Sequence, residues 1–119
     1  MPEPALEVFK GTLDVLILKA LSWGAMHGYA VSRWIRDITD EALTIEEGAL
    51  YPALHRLERR GLLEAEWDLT ENNRQAKFYR LTAEGRRRLR AETASWVRFA
   101  EAVGRVLTAT SRPMWARSR

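Results

Sequence analysis

The period of the hydrophobic residues changes twice along this chain of 119 residues, and few folds accommodate both changes. Apolar residues recur every three or four positions from Thr12 to about Arg60, which predicts helices. From Leu63 to Leu69 they alternate with acidic residues, which predicts a strand with one solvated side. A helical period returns from Thr82 to about Ala109. The sequence therefore predicts helices, a strand segment and a long final helix.

The first helical part divides into three segments. The first follows a capping Thr12 and stops at Gly24, and its apolar face consists of Leu13, Leu16, Ile17, Ala20 and Leu21. The second runs from His27 to about Thr39, and the third from about Glu46 to Arg60, with Gly61 as its exit. Because Pro52 lacks a backbone N–H, we expect the third helix to begin near Ala49–Tyr51 or to have a distorted first turn.

The alternating segment is the first strand of a β-hairpin. Turn-forming residues occupy 70–75, and a second strand follows from Ala76 to Leu81. Thr82 then caps a final helix of about 28 residues, or ~42 Å. We interpret Trp23, Trp34 and Trp67 as core or half-buried, and we assign Trp115 to a tail at 111–119 that we expect to be disordered.

Three short helices followed by a hairpin are typical of a winged helix–turn–helix. The predicted fold class is α+β and mostly helical: a DNA-binding domain at 1–81 with its wing at about 62–81, then a long C-terminal dimerisation helix at 82–110. In such a domain the third helix enters the major groove, and the hairpin tip reaches the flanking backbone or minor groove. Other small α+β domains share this order of elements, so it does not by itself establish DNA binding.

Positive charge is concentrated in the second part of the chain. Residues 1–50 carry 4 basic and 8 acidic side chains, a net charge of −4, whereas residues 51–119 carry 15 and 8, a net charge of +7. Arginine accounts for 16 of the 19 basic residues, and its planar guanidinium suits phosphates and guanine edges. The distribution favours a polyanionic partner, although a solvated face or a compositional bias of the genome gives the same counts.

One face of the third helix carries candidate DNA contacts. Leucines at 50, 54 and 57 turn towards the core, and the opposite face presents Ala49, Tyr51, His55, Arg56 and Arg59. Arginine clamps phosphates or guanine, and tyrosine and histidine hydrogen-bond phosphates or base edges. The alternative is a solvated face without a ligand.

The hairpin tip adds three further candidates. Asn73, Arg74 and Lys77 suit contact with phosphates or with the minor groove. For the asparagines, ordinary turn chemistry explains the pattern equally well.

The final helix has an apolar seam with a period near 3.5 residues. It consists of Leu89, Trp96, Phe99, Ala100, Val103 and Leu107. A small domain cannot cover so long a seam, so we expect it to form a homodimer interface, with packing inside the monomer as the alternative. A dimer places two third helices about one DNA turn (~34 Å) apart, which matches an inverted repeat.

Other functional classes lack their signatures. The chain has no cysteine, and its two histidines, His27 and His55, lie on different elements. No phosphate-binding loop or catalytic motif is present, so we expect no enzymatic activity, no metal and no cofactor. No apolar run approaches the ~20 residues of a membrane span, so no membrane partner is expected. The lack of cysteine fits a cytoplasmic location.

Three motifs closely resemble those of the PadR family of bacterial transcriptional regulators. They are Met26-His27-Gly28-Tyr29, the run GALYPAL at 48–54 and the run KFYRLT at 77–82. The resemblance covers about Lys10 to Leu89, and the single short final helix looks like the smaller PadR subgroup. The family often has serine or threonine where this chain has Ala49, so a hydroxyl contact to DNA is missing there.

This resemblance implies a homodimeric winged-helix regulator, usually a repressor, that binds double-stranded DNA at an inverted repeat in a promoter. It implies that Tyr51 and His55 contact DNA. Some relatives bind flat aromatic effectors between their final helices through a tryptophan, which makes Trp96 the candidate here; a packing role is the alternative. Two other functions stay open: a winged-helix protein-interaction module without DNA binding, and an aromatic-effector sensor that uses the dimer interface.

Overall fold

The computed structural model describes residues 6–7 and 10–117. The elements occur in the order β1 (Leu6–Glu7), α1 (Lys10–Leu21), β2 (Met26–His27), α2 (Gly28–Ile38), β3 (Leu43–Thr44), α3 (Glu47–Arg59), β4 (Leu63–Leu69), β5 (Gln75–Leu81) and α4 (Ala83–Leu107). Strands β4 and β5 form the antiparallel hairpin, and β2 adds to β5 as a third strand. Strands β1 and β3 pair in parallel. The predicted mixed, mostly helical fold with a wing is confirmed.

Helix α1 starts earlier than predicted: it begins at Lys10, so Thr12 lies inside the helix and is not its cap. Helix α3 begins at Glu47, next to the predicted Glu46, and has Pro52 in its second turn. The alternative start near Ala49–Tyr51 is therefore wrong. An interior proline costs about 3 kcal/mol. The three leucines that α3 buries contribute about 1.5–3 kcal/mol each, which outweighs that cost.

The three short strands escaped sequence prediction because two residues cannot display a period. The second of them includes His27, which also caps α2: its Nδ1 accepts a hydrogen bond from the backbone N–H of Ala30 at 3.2 Å. The imidazole packs edge-on against Phe78 of β5, with 5.3 Å between ring centres. His27 thereby links the hairpin to the start of α2 and helps to position the wing.

The hydrophobic core lies between α1, α2, α3 and the base of the hairpin. Its largest fully buried side chains are Ile17, Leu18, Leu21, Val31, Ile35, Leu50, Leu54 and Leu57. Burial of such side chains is the main force that holds α3 against the other two helices.

Two tryptophans predicted to be core or half-buried are exposed instead. Trp23, in the turn after α1, is 66% exposed, and Trp67 on β4 is 68% exposed, whereas Trp34 is half-buried as predicted. The Trp23 ring contacts Trp34 at 6.5 Å between centres and has the ammonium of Lys19 at 4.9 Å. Trp67 lies on the apolar face of β4, beyond the edge of the core. Alternation in the sequence predicts the face on which a side chain lies but not how deeply it is buried.

Among the described residues, only the beginning of α4 packs against the rest of the chain. Gly85 is buried and Leu89 contacts the core, but every residue from Arg90 to Leu107 except Gly104 is exposed. The radius of gyration is 18.2 Å, against about 14 Å for a compact domain of this length. Helix α4 therefore projects from the domain with its apolar seam uncovered.

Two further observations concern the predicted tail and membrane contact. Disorder at 111–119 stays a prediction, and positions 118 and 119 lie outside the described residues. Within the described ranges, no helix combines the length and the apolar character needed to cross a membrane.

Candidate nucleic-acid interface

Helix α3 separates a buried leucine face from an exposed polar face. The residues predicted for DNA contact that lie on the exposed face are Ala49, Tyr51, His55 and Arg59. Tyr51 is 42% exposed, so its ring is partly held by the protein while its other side remains accessible. This face offers a small residue, two hydrogen-bonding rings and a guanidinium along one helix surface.

Gly28 provides the space in which the Tyr51 ring lies. A Cβ atom at position 28 would be 2.7 Å from Cε1 and 3.2 Å from the hydroxyl oxygen of Tyr51. Because Gly28 is the first residue of α2, the phenol lies beside the N-terminal end of that helix, which favours anions. The Met26–Tyr29 motif and the motif at 48–54, which are separate in the sequence, therefore contact each other at the surface.

Arg56 does not share the exposed face that the sequence assigned to it. Its Nη2 donates to Oδ1 of Asp14 on α1 at 2.5 Å, and the two side chains are only 25% and 26% exposed. This ion pair lies on the flank where α3 packs against α1. Arg56 therefore ties two helices together, whereas Arg59 is exposed.

Lys77 is held in a similar way on the wing. Its Nζ donates to Oε1 of Glu58 on α3 at 3.0 Å and lies 5.4 Å from the ring centre of Tyr79. The hydrogen bond to Glu58 raises the pKa of the Lys77 ammonium above its ordinary value of 10.5. Lys77 therefore stays a cation at neutral pH and connects β5 to α3.

The wing tip is an ordered turn. The backbone N–H of Thr70 donates to the carbonyl of Arg74 at 2.8 Å, and the Thr70 hydroxyl accepts from the Arg74 N–H at 3.2 Å. Asn73 has a φ of +60°, a left-handed conformation that asparagine tolerates well. The backbone conformation of Asn73 thus serves the turn, while the side chains of Asn73 and Arg74 are exposed.

An open groove of about 1100 Å³ lies between α3, the start of α2 and the wing. It brings together four of the predicted contacts, namely Tyr51, His55, Arg74 and Lys77. Sequence reasoning missed other lining residues, among them Tyr29, Arg33 and Trp67. Tyr29 stands in the Met26–Tyr29 motif and could have been found there. Among the described lining residues three are basic and Glu71 alone is acidic. Lys77 and Arg33 pair with Glu58 and Asp37, which lie outside the lining.

Comparison with known proteins identifies the family. The family model described as "Transcriptional regulator PadR-like family" matches residues 17–91. The chain belongs to the PadR-like family. Members of this family regulate transcription and are not enzymes, so the predictions of a DNA-binding transcriptional regulator and of no enzymatic activity are confirmed at this level.

Solved structures of PadR-like and related regulators resemble this chain over most of their length. A transcriptional regulator from Clostridium thermocellum is 31% identical with a TM-score of 0.73, and the match covers 81% of this chain and 93% of that one. A PadR family regulator from Eggerthella lenta is 38% identical with a TM-score of 0.69, covering 85% and 86%. A PadR-like regulator from Bacillus cereus is 26% identical with a TM-score of 0.72, covering 84% and 95%.

The final helix of this PadR-like chain exposes most of its predicted interface. Trp96, Phe99, Ala100, Val103 and Leu107 are exposed, whereas Leu89 packs against the core of its own domain. The rings of Trp96 and Phe99 stack with 5.9 Å between centres. Dimerisation through this seam and binding of an aromatic effector at Trp96 stay predictions.

We expect Arg56→Ala to lower the free energy of unfolding by about 1 kcal/mol, because it removes a partly buried ion pair. Arg59→Ala is the matched control: it should leave stability within about 0.5 kcal/mol of wild type and weaken DNA binding directly. Urea unfolding followed by circular dichroism measures the first quantity, and a titration of a fluorescent duplex measures the second.

Asp14→Ala tests whether Arg56 contacts DNA or only holds α3 against α1, because it releases the guanidinium from its partner. If Arg56 only ties α3 to α1, Asp14→Ala should destabilise the protein about as much as Arg56→Ala does, with no gain in DNA affinity. An unchanged free energy of unfolding in both variants would show that the ion pair does not contribute to stability.

Proposed function

We propose that this PadR-like chain is a homodimeric repressor that binds an inverted repeat in a promoter, in the cytoplasm. The observation that carries the proposal is the groove, in which the polar face of α3 and the wing residues Arg74 and Lys77 line one surface. A major groove about 12 Å wide admits one helix. With α3 in that groove, the wing lies beside the neighbouring backbone and minor groove.

Affinity and sequence choice are supplied by different residues in this proposal. The exposed guanidinium groups of Arg33, Arg59 and Arg74 bind phosphates and supply a salt-dependent affinity. Tyr51 and His55 hydrogen-bond phosphates or base edges from α3. The Lys77–Glu58 ion pair fixes the wing to α3, and the Arg56–Asp14 ion pair fixes α3 to α1. Both lower the entropic cost of ordering the surface on binding.

The uncovered seam of α4 supports the proposed dimer. Pairing of two α4 helices removes exposed rings and aliphatic side chains from water, which the isolated chain leaves solvated. The two-fold axis of such a dimer repeats the α3 helix on one face of the duplex, at about one helical turn of separation. An inverted repeat has the same symmetry as this arrangement.

The test is Tyr51→Ala, measured on duplexes selected by wild-type protein from a random-sequence pool. Loss of one good contact costs about 1–3 kcal/mol, so we expect affinity to fall by about 5- to 150-fold. Tyr51→Phe serves as the control that removes the hydroxyl and keeps the ring, and its loss should be smaller. Fluorescence polarisation at a stated salt concentration gives both affinities.

Two outcomes would contradict the proposal. Wild-type affinity of Tyr51→Ala for the duplex would show that this face of α3 does not contact DNA. Failure of the wild-type protein to retain any duplex would instead favour the protein-interaction module.

A further inference from the structure

The apolar face of β4 continues well beyond the core. Leu63 at the base of the wing is 2% exposed, whereas Trp67 is 68% and Leu69 50% exposed. Acidic residues occupy the alternate positions, so the wing keeps two distinct faces to its tip. Exposed apolar area is less favourable than buried apolar area, so covering this apolar strip of Trp67 and Leu69 with a partner lowers the free energy.

The strip lies in the same groove as the polar face of α3. The hairpin register places Lys77 across from Trp67 and Gln75 across from Leu69, and all four residues line the groove together with Tyr51. The ion pair with Glu58 fixes Lys77 to α3. A molecule that rests on Tyr51 therefore lies beside the strip.

The groove presents cationic side chains beside apolar ones. Arg33, Arg74 and Lys77 line it, and Glu71 is the one acidic side chain among the described lining residues. Glu58 and Asp37, which lie outside the lining, pair with Lys77 and Arg33. Duplex DNA presents phosphates next to the C–H surfaces of deoxyribose in a regular repeat. A minor groove about 6 Å wide admits single side chains, and proteins that bind there use apolar side chains beside cationic ones.

We propose that Trp67 and Leu69 pack against the deoxyribose walls of the DNA minor groove that flanks the α3 site. The proposal rests on the proposed function and adds an apolar contact to it. Arg74 at the tip binds phosphate, while the strip contributes affinity that does not depend on salt. Trp67 is thus a DNA-contact residue that no motif in the sequence marks.

The experiment compares three variants on the selected duplex. Trp67→Ala should weaken binding by about 10-fold, the equivalent of losing part of one buried aromatic side chain. The slope of log affinity against log salt should stay that of wild type, because no phosphate contact is lost. Arg74→Ala should lower the slope by about 1. Trp23→Ala, which removes an equally exposed tryptophan outside the groove, should bind as wild type does.

Three additional measurements locate the contact in the minor groove and guard against misfolding. Netropsin, a small minor-groove ligand, should weaken the binding of wild type and have much less effect on Trp67→Ala. Trp67→Phe keeps an apolar ring and should restore most of the affinity. Thermal melting of each variant should match wild type, because the side chain at 67 is exposed.

The outcomes separate this inference from the function on which it rests. If wild-type protein binds no duplex, both are overturned. If wild type binds and Trp67→Ala binds equally well, the apolar strip alone is overturned, and a protein partner becomes the better occupant. A reduced salt slope in Trp67→Ala would show lost phosphate contacts and would overturn the apolar packing.

Discussion

Val103→Arg is expected to convert the proposed dimer into monomers and to lower affinity for a duplex with two half-sites by at least ~100-fold. Val103 lies midway along the exposed seam, between Trp96 and Leu107. In a two-fold pair of α4 helices the substitution places two guanidinium groups in an apolar contact, where neither has a partner. Loss of the dimer also removes the linkage between half-sites, which supplies a high effective concentration to the second binding event.

Ala102→Arg is the matched control for this prediction. It adds the same side chain to the neighbouring, exposed position of α4, outside the seam. Analytical ultracentrifugation should give a dimer for wild type and Ala102→Arg, and a monomer for Val103→Arg. Circular dichroism should still show a folded Val103→Arg domain, because α4 beyond Arg90 contributes little to the core.

Two results would contradict the proposed dimer. A wild-type protein that sediments as a monomer at the concentration where it binds DNA would show that the seam does not form a DNA-binding dimer. So would a Val103→Arg protein that remains a dimer.

Periodicity predicted the fold because most elements of this chain are long enough to show a period. Helix α3 and the hairpin each combine a regular buried face with an exposed one, so their type and order follow from the sequence alone. Strand β2 has two residues and was missed. Helix α3 begins at Glu47 in spite of Pro52, because burial of its leucines outweighs the cost of the proline.

The candidate site was predicted less completely because its details depend on contacts between distant residues. A helical wheel places Arg56 near the polar face of α3, but the Asp14 carboxylate that holds it lies on another helix. Lys77 on the wing is likewise held by the carboxylate of Glu58, which lies on α3. Trp67 and Leu63 lie on the same face of β4 by their alternation in the sequence. Leu63 is buried and Trp67 is exposed because the core ends between them, which only the structure shows.

Gly85→Ala is expected to lower the free energy of unfolding by about 1–3 kcal/mol through overpacking, the largest stability loss that we predict for one added methyl group. A Cβ atom at position 85 would lie 2.2 Å from the carbonyl oxygen of Leu62 and 3.1 Å from Cδ2 of Leu81. The Leu62 carbonyl cannot move away freely, because it accepts the N–H of Thr82 at 3.1 Å. The Thr82 hydroxyl in turn donates to the Gly61 carbonyl at 2.7 Å and accepts the Gly85 N–H at 3.0 Å.

Gly48→Ala is the control for Gly85→Ala, since both change a helical glycine to alanine. A Cβ atom at position 48 meets no atom within 4 Å, so this variant should be as stable as wild type or up to about 1 kcal/mol more stable. Urea unfolding of the two variants measures the difference. Equal stability of Gly85→Ala and wild type would show that the α4 start and the Leu62 backbone are not packed as described.

The same substitution should also alter DNA recognition, because Gly85 lies where α4 joins the winged domain. Displacing the start of α4 from the backbone of Leu62 changes the angle at which the proposed dimer helix leaves the domain, and hence the distance between the two α3 helices. The folded fraction of Gly85→Ala should therefore select inverted repeats with a changed half-site spacing, while each half-site keeps its sequence. Selection of the wild-type spacing by Gly85→Ala would show that the orientation of α4 is set by the pairing of the two helices and not by this glycine contact.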